Sequence, residues 1–453
     1  MKKFIIISLI TVMVAGTAFA ADGIFFNAWG RGAFSPLTLQ TAPKAYGDAV
    51  KDAAGDDVKG AVYGGAGASW GADKIRVDFR FNGAADFVGF QIHSNTESGN
   101  LGEGDNGYHI WAKPFESDIL KLTVGRFLDD TLRGKIGNLD GGFSNFVLGC
   151  GIWEEDPIFA RFATWDGTKN HPDHSYAHNG FMISSAPIEG LFIGLMVDGS
   201  MYANWAGAGS GTKAADMYRY MQIGAGYEID GIGHIRAQFI GGFLGKYDDK
   251  KIEDKFWKKD FELPDEGKPA RIEAAFALTA VENLLVDLGL KFWLPVEFSD
   301  DHVKFNNGIE AHLGAQFNMD ALGIGARVDT SGLGSYAGGR ATEGDNTKNV
   351  DPLTIGIRVV PTYALDAFTI GADIGFGITA GGKAANGDKI EASSVGLGFG
   401  AFVMKGLGNG LVKAGVSFTL PSIDKVKIGD ETKSGANGHG YLQIPIILEY
   451  AFF

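Results

Sequence analysis

Charged side chains recur at every second position in several segments, with apolar side chains between them. In the segment 74–82, for example, lysine and arginine alternate with isoleucine, valine and phenylalanine. If each segment is a β-strand, the charged groups share one face of a sheet and give it a fixed electric field. Such a field selects among ions and small polar solutes, so we predict that these side chains line a polar interior. The predicted lining residues are Lys74, Arg76, Arg80, Lys121, Arg236, Arg271, Glu273, Lys291, Glu310, Arg327 and Arg358.

The same alternate positions of these segments contain further charged residues. Basic residues slightly outnumber acidic ones in the whole set, so the predicted lining is slightly basic. The additional basic residues are Lys113 and Lys413, and the additional acidic ones are Asp78, Glu228, Asp287, Asp329, Asp373 and Glu449.

A second set of charges lies in one long polar segment, 129–177. Its acidic residues are Asp129, Asp130, Asp140, Glu154, Glu155 and Asp156, and Arg133, Lys135 and Arg161 are basic. An acidic loop opposite a basic wall would set up a transverse field, and the width between them would decide which solutes pass.

Other kinds of chemistry have weak support in the sequence. His171, Asp173, His174 and His178 are residue types that bind zinc, but their spacing matches no strong ligand motif. The chain contains no G-x-S-x-G, H-E-x-x-H or Walker-type sequence. We therefore predict no enzymatic activity, no catalytic residues, no metal site and no cofactor.

Short turns must separate the alternating segments. Pairs of roughly ten-residue segments flank turns that usually carry an acid, Asn or Gly, which is typical of β-hairpins. The predicted turns are 71–73, 116–118, 188–190, 230–231, 282–283, 319–320, 365–366 and 408–410. With a first strand at about 24–34 and a last one at about 438–453, they give eighteen strands. The segment 74–93 is predicted as one long strand, bent at Gly83-Ala84-Ala85, and a different division of the chain gives sixteen.

Longer polar segments connect the hairpins at their other end. They are 35–59, 94–106, 129–177, 199–216, 244–269, 294–304, 331–352, 380–390 and 421–437. Short turns that alternate with long loops are typical of transmembrane β-barrels, whose sheet must close because an open edge in hydrocarbon leaves backbone groups unpaired. The predicted fold is thus all-β, a closed antiparallel transmembrane β-barrel with short periplasmic turns and long external loops.

Composition and charge agree with this class of fold. The chain has 68 Gly and 33 Phe, and 45% of its residues are hydrophobic, which excludes a disordered chain. The formal net charge of −14 argues against nucleic acid as a partner. With one cysteine, Cys150, an internal disulfide is excluded.

The N-terminus is predicted to be a cleaved signal peptide over 1–20. Lys2 and Lys3 precede an apolar stretch, and Ala18-Phe19-Ala20 is a small-x-small cleavage site. The rest, 21–453, is predicted to be a single domain that is exported past the inner membrane.

The last strand carries a resemblance. Leu442, Ile444, Ile446, Leu448, Tyr450 and Phe452 form one wholly apolar frame. Pro445 is inside the same strand but in the other frame, where it removes a ladder donor and needs a bulge or a local break. A chain ending on aromatics at such a strand resembles bacterial outer-membrane β-barrels, and the long loop after the fifth strand resembles the inward-folding third loop of porins. The segment 124–134 is also similar to spirochaete outer-membrane proteins.

The resemblance implies a porin in the cell outer membrane. Such a protein is a water-filled channel for passive diffusion of small hydrophilic solutes, including ion transport, in which 129–177 is the constriction loop. Its partners would be outer-membrane lipid and the barrel-assembly machinery, and monomer and homotrimer remain open. Two alternatives are a surface adhesin on a structural barrel and a sugar-selective porin, in which loop aromatics would stack on sugar rings: Trp153, Trp165, Trp205 and Trp257.

Overall fold

A computed structural model of the chain describes fourteen segments. They are residues 23–66, 75–95, 107–126, 179–198, 221–241, 245–247, 270–294, 296–298, 303–305, 308–334, 353–380, 392–408, 410–428 and 431–452. The predicted signal peptide 1–20 and the predicted constriction loop 129–177 lie outside these residues.

The described residues form strands and connecting turns. The strands are β1 (Gly23–Gln40), β2 (Lys44–Ala45), β3 (Asp48–Ala49), β4 (Ala61–Ala66), β5 (Ile75–Ala84), β6 (Val88–Asn95), β7 (Gly107–Ala112), β8 (Lys121–Arg126), β9 (Asn179–Ser185), β10 (Leu191–Asp198), β11 (Met221–Ile229), β12 (Gly233–Ile240), β13 (Gly245–Tyr247), β14 (Arg271–Leu278), β15 (Leu284–Trp293), β16 (Val296–Phe298), β17 (Val303–Phe305), β18 (Gly308–Met319), β19 (Leu322–Gly334), β20 (Leu353–Ala364), β21 (Thr369–Ala380), β22 (Ala392–Leu407), β23 (Gly410–Thr419), β24 (Ser422–Ile428), β25 (Glu431–Asn437) and β26 (Tyr441–Phe452). No helix in this part of the chain is long and apolar enough to cross a membrane.

Most strands belong to one antiparallel sheet. Its pairings run β1–β5–β6–β7–β8–β9–β10–β11–β12 and continue β14–β15–β18–β19–β20–β21–β22–β23–β26. Strand β26 also pairs with β1 over most of its length. The all-β, antiparallel prediction is therefore confirmed.

Short connections link consecutive strands at seven of the eight predicted places, from two residues at 320–321 to eight at 113–120. At three of them a residue other than glycine has a positive φ: Glu116 at 52°, Asn283 at 63° and Asp320 at 50°. Asn and Asp tolerate this left-handed conformation better than most residues, which is why they mark hairpin turns. The eighth predicted turn, 71–73, lies outside the described residues, but the hairpin predicted around it is wrong. The strands on either side, β4 and β5, both pair antiparallel with β1 and therefore run in the same direction.

The prediction of a single strand over 74–93 is wrong. The segment forms two strands, β5 and β6, which pair with each other from Ala84↔Gly89 to Asp78↔Asn95 around a turn at 85–87. The apolar frame changes there from odd positions, ending at Phe81, to even positions, beginning at Val88. Such a change of frame is what a reversal of the chain produces.

The segment 421–437, which was predicted to be a loop, consists largely of β-strand. It forms the hairpin of β24 and β25, and β24 pairs with the far end of β22 from Val395↔Ile423 to Ala392↔Val426. The segment after β1 packs against this hairpin, because the Lys44 N–H donates to the Gly438 carbonyl at 3.0 Å and Gly47 N–H donates to Ala436 at 2.8 Å. The hairpin thus extends the sheet on the long-loop side.

The bulge that Pro445 was predicted to need is present, but it lies in β1, the partner of β26, which has the extra residue. The β1–β26 register shifts between Phe34 and Leu37, directly opposite Pro445. The single hydroxyl hydrogen of the buried Ser35 is shared between the Leu37 carbonyl at 3.0 Å and the Ile444 carbonyl at 3.4 Å. The Ile444 carbonyl thus has a side-chain donor where the bulge interrupts the ladder.

Candidate functional site

In a soluble protein the apolar face of a sheet is buried and the polar face is exposed. The main sheet has the reverse arrangement, with apolar side chains exposed on one face and polar side chains buried on the other. In β22, Leu397 and Phe399 are exposed, whereas the alternate positions Gly398, Gly400 and Phe402 are buried. We call the first side the apolar face and the second the polar face. The buried polar residues of the polar face include Thr123, Ser184, Arg271, Arg327, Arg358, Asp373, Lys413, Ser417 and Gln443.

The polar face contains a buried ion pair between neighbouring strands. Arg358 in β20 donates from Nε to both carboxylate oxygens of Asp373 in β21, at 2.8 and 3.1 Å, and its Nη2 also contacts the carboxylate. The side chains are 2% and 1% exposed. Arg358 is in register with Gly375, so that the pair is diagonal. The missing side chain at Gly375 leaves the guanidinium room to cross.

A like charge adjoins this pair. Arg327 in β19 is the register partner of Arg358, and it is 6% exposed. Like charges directly opposite each other in a sheet are destabilising. The carboxylate of Asp373, which pairs with Arg358, offsets part of this repulsion.

Lys413 is the next buried cation on the same face. Its Nζ lies 4.1 Å from the centre of the Phe402 ring, and the side chain is 1% exposed. The ring lies across the neighbouring strand at Gly371, where a Cβ atom would overlap it. The glycine is thus required for the aromatic ring, which in turn covers the lysine through a cation–π contact.

A second aromatic–lysine cluster lies at the short-turn end of the polar face. Lys121 Nζ is 4.7 Å and Lys113 Nζ is 5.8 Å from the centre of the Trp111 ring. Lys113 also forms an ion pair of 2.6 Å with Asp118 in the turn. Trp111 lies over Gly89, where a Cβ would approach the indole to 2.6 Å. This cluster combines fixed positive charge with a flat apolar surface.

The register brings other predicted lining residues together. Lys291 in β15 is the partner of Glu273 on one side and of Glu310 on the other, which gives a row of alternating sign across three strands. Arg76 and Arg80 of β5 are register partners of Arg31 and Asn27. The register thus places a basic residue between two acidic ones in the first case and Arg76 opposite Arg31 in the second.

The remaining predicted residues are more scattered. Arg236 is in register with Ala275, and the buried Arg271 with Trp293, away from the Arg358–Asp373 pair. Lys74 and the whole constriction-loop set lie outside the described residues: Asp129, Asp130, Arg133, Asp140, Glu154, Glu155 and Asp156. Whether these residues line a channel stays a prediction.

Sequence reasoning missed the aromatic residues of the polar face. Trp111 shares its frame with Lys113, and Phe402 follows three glycines, Gly396, Gly398 and Gly400, in the polar-face frame of β22. A lone aromatic residue in a frame of glycines or lysines was the signal that could have identified both. In the described residues there is no cluster of three metal-ligating side chains. The histidine cluster at 171–178 lies outside them.

Comparisons with known proteins give structural similarity alone. No protein-family model and no curated protein matches the sequence. An anion-selective porin from Comamonas acidovorans is 12% identical, with 95% of this chain and 100% of that one covered and a TM-score of 0.42. A loop-deletion mutant of OmpT, an outer membrane protein of Vibrio cholerae, is 11% identical, with 96% and 100% covered and a TM-score of 0.40. A mutant of Rh. blastica porin is 11% identical, with 95% and 100% covered and a TM-score of 0.37. The solved structures that this chain resembles are thus outer-membrane proteins and porins.

Proposed function

We propose that this protein is an outer-membrane channel of the porin type, through which small hydrophilic solutes diffuse passively. The observation that carries the proposal is the inverted distribution of polarity over one continuous sheet. Large apolar side chains are exposed along its strands, for example Ile370, Phe399 and Leu448, at 44%, 49% and 56%. Soluble monomers rarely expose a contiguous apolar surface of this extent, whereas a transmembrane sheet must do so.

The pairing order supports a closed barrel of eighteen strands. In the pairing order of the main sheet, which begins with β1 and ends with β26, every strand has a partner on both sides, since the last strand pairs with the first. Closure is required in a membrane, because each unpaired backbone group in hydrocarbon costs several kcal/mol. The even number of strands would leave both chain ends on the periplasmic side.

The mechanism follows from the polar face, which would surround the lumen. Arg271, Arg327, Arg358 and Lys413 supply buried positive charge, and Asp373 compensates part of it. The acidic segment 129–177, folded inwards, would face this wall and narrow the channel. Solutes would then be selected by the width and by the transverse field, with no cofactor and no chemical step.

The location and partners of the protein are part of the same proposal. The signal peptide would direct export, and the barrel-assembly machinery would insert the chain into the outer membrane as a monomer or homotrimer. The sugar-selective alternative stays a prediction, because Trp153, Trp165, Trp205 and Trp257 lie outside the described residues. The adhesin alternative likewise stays a prediction.

Planar-bilayer recording tests the proposed channel. Refolded protein should produce stepwise increases in conductance, and a boiled sample provides the control for contaminants and detergent. A folded protein, identified by heat-modifiable migration on gels, that gives no steps across a range of voltages and salts would contradict the channel.

A deletion tests the constriction. Removing residues 140–170 should raise the single-channel conductance, because the narrowing segment is lost. Removing 341–350, from another long external segment, is the control and should leave the conductance unchanged. Equal conductance of both variants and the wild type would refute the inward position of 129–177.

A further inference from the structure

The outer surface of the β24–β25 hairpin continues the apolar face beyond the end of β23. Ile423 is the register partner of Val395, and both are exposed. Because side chains alternate along a strand, Lys425 and Lys427 share the face of Ile423. Both lysines are exposed. Along β24 the apolar face thus ends at Ile423, and a basic surface begins at the next residue of the same face, Lys425.

Hydroxyl side chains accompany the lysines in register. Lys425 lies between Ser393 of β22 and Ser434 of β25, and Lys427 is opposite Thr432. We call these five residues the basic rim. Within the described residues, neither lysine forms an ion pair with a carboxylate.

Acidic charge of the hairpin points to the opposite face. Asp424 accepts hydrogen bonds from the Ser394 hydroxyl and the Asn437 amide, both at 2.5 Å. Its position alternates with those of Lys425 and Ile423, so that the carboxylate lies on the other side of the sheet. Positive charge is therefore concentrated where the sheet meets its surroundings.

The height of the basic rim matches the edge of a membrane. Another exposed lysine, Lys405, lies on the same face at the short-turn end of β22, and Val395, Leu397 and Phe399 are among the exposed residues in between. From Ser393 to Lys405 the strand is about 40 Å long, or about 30 Å across the membrane at a tilt of about 40°. This span is close to the thickness of a hydrocarbon core with its headgroups just outside.

We propose that the basic rim binds the phosphate groups of anionic lipids in the leaflet on the long-loop side. This inference rests on the proposed transmembrane function. A lysine ammonium is a point charge that attracts phosphate, and the flanking hydroxyls of Ser393, Thr432 and Ser434 donate hydrogen bonds to phosphate oxygens. The lipid tails would lie against Ile423 and the apolar face below it.

Native mass spectrometry of the refolded full chain in detergent tests the proposal. Phosphatidylglycerol is the anionic probe, and phosphatidylcholine, which has no net charge, is the reference lipid. Lys425→Gln/Lys427→Gln should weaken phosphatidylglycerol binding by about fivefold per lysine and leave phosphatidylcholine binding unchanged, as expected for lysines near an anionic surface. Lys433→Gln is the matched control, because this exposed lysine is on the opposite face of the same hairpin.

Three results would overturn the lipid site. The first is equal phosphatidylglycerol binding by the wild type and the double variant. The second is a loss of phosphatidylglycerol binding in Lys433→Gln as large as that in the double variant. The third is displacement of the lipid by inorganic phosphate, which would identify a site for the free anion. Gel migration and conductance verify that each variant is folded. A protein that conducts but does not prefer phosphatidylglycerol refutes the lipid site alone, whereas a folded protein without conductance refutes the proposed function.

Discussion

Neutralising Asp373 should destabilise the protein more than any exposed charge change. In Asp373→Asn the guanidinium of Arg358 stays buried at 2% exposure and loses its carboxylate partner. At a separation of about 3 Å and an effective dielectric constant of about 20, the lost attraction is about 5 kcal/mol. Removing one partner of a buried ion pair costs about 3–5 kcal/mol. The register neighbour Arg327 adds repulsion, which favours the upper part of this range.

Urea-induced unfolding of the refolded protein in lipid vesicles, followed by tryptophan fluorescence, measures this loss. The matched control is Asp57→Asn, which removes the carboxylate of the exposed ion pair with Lys51, whose side chains are 59% and 61% exposed. An exposed pair is worth about 0–1 kcal/mol. The double variant Arg358→Met/Asp373→Leu should recover most of the lost stability, because no buried charge remains without its partner.

Two results would refute the reasoning about this pair. If Asp373→Asn costs no more than Asp57→Asn, water screens the Arg358 charge and the burial of the pair is not energetically relevant. If the double variant is as unstable as the single one, the loss comes from packing at these positions rather than from an isolated charge.

Two further predictions concern the faces of the sheet. Phe399→Arg, half-way along the apolar face of β22, should lower the free energy of unfolding in vesicles by about 2–4 kcal/mol. Val395→Arg, at the edge of this face, should lower it by only about 0–1 kcal/mol. Equal losses of stability in the two variants would contradict the assigned membrane depth. Gly371→Ala should lower stability by about 1–3 kcal/mol in the same assay, because the new Cβ displaces the Phe402 ring. Gly32→Ala is the control and should change stability by less than about 0.5 kcal/mol, because no atom lies near its new Cβ. Unchanged stability of Gly371→Ala would show that the ring is not held at this position.

The alternation of side chains is the part of the fold that sequence predicts well. In β26, Ile444 and Leu448 belong to the predicted apolar frame and Gln443 to the alternate positions, and the three side chains are 38%, 56% and 8% exposed, respectively. A period of two is a local property, and the face of each residue follows from it once one residue is assigned. The composition of the two faces could therefore be predicted before any pairing was known.

Pairing across the sheet was predicted less well, because it depends on distant residues. The strand boundary at 85–87 was missed although the apolar frame changed there, since glycine and alanine at 83–85 allow both a bend and a turn. The hairpin 422–437 has a composition typical of a loop, with few apolar residues in one frame. It is ordered by backbone pairing with β22 and by the contact with the segment 44–47, neither of which is encoded locally.

The contact of the first and last strands shows how a locally unfavourable residue is accommodated by a distant one. Pro445 has no N–H and would interrupt the ladder of a strand that pairs on both sides. The register of β1 skips Ser35 and Pro36 at this height, and the Ser35 hydroxyl donates to the Ile444 carbonyl instead. The sequence predicts that a bulge is needed near Pro445, but the residues that provide it are some 400 positions earlier. Because those residues belong to β1, tolerance of the proline depends on the pairing that joins the two ends of the sheet.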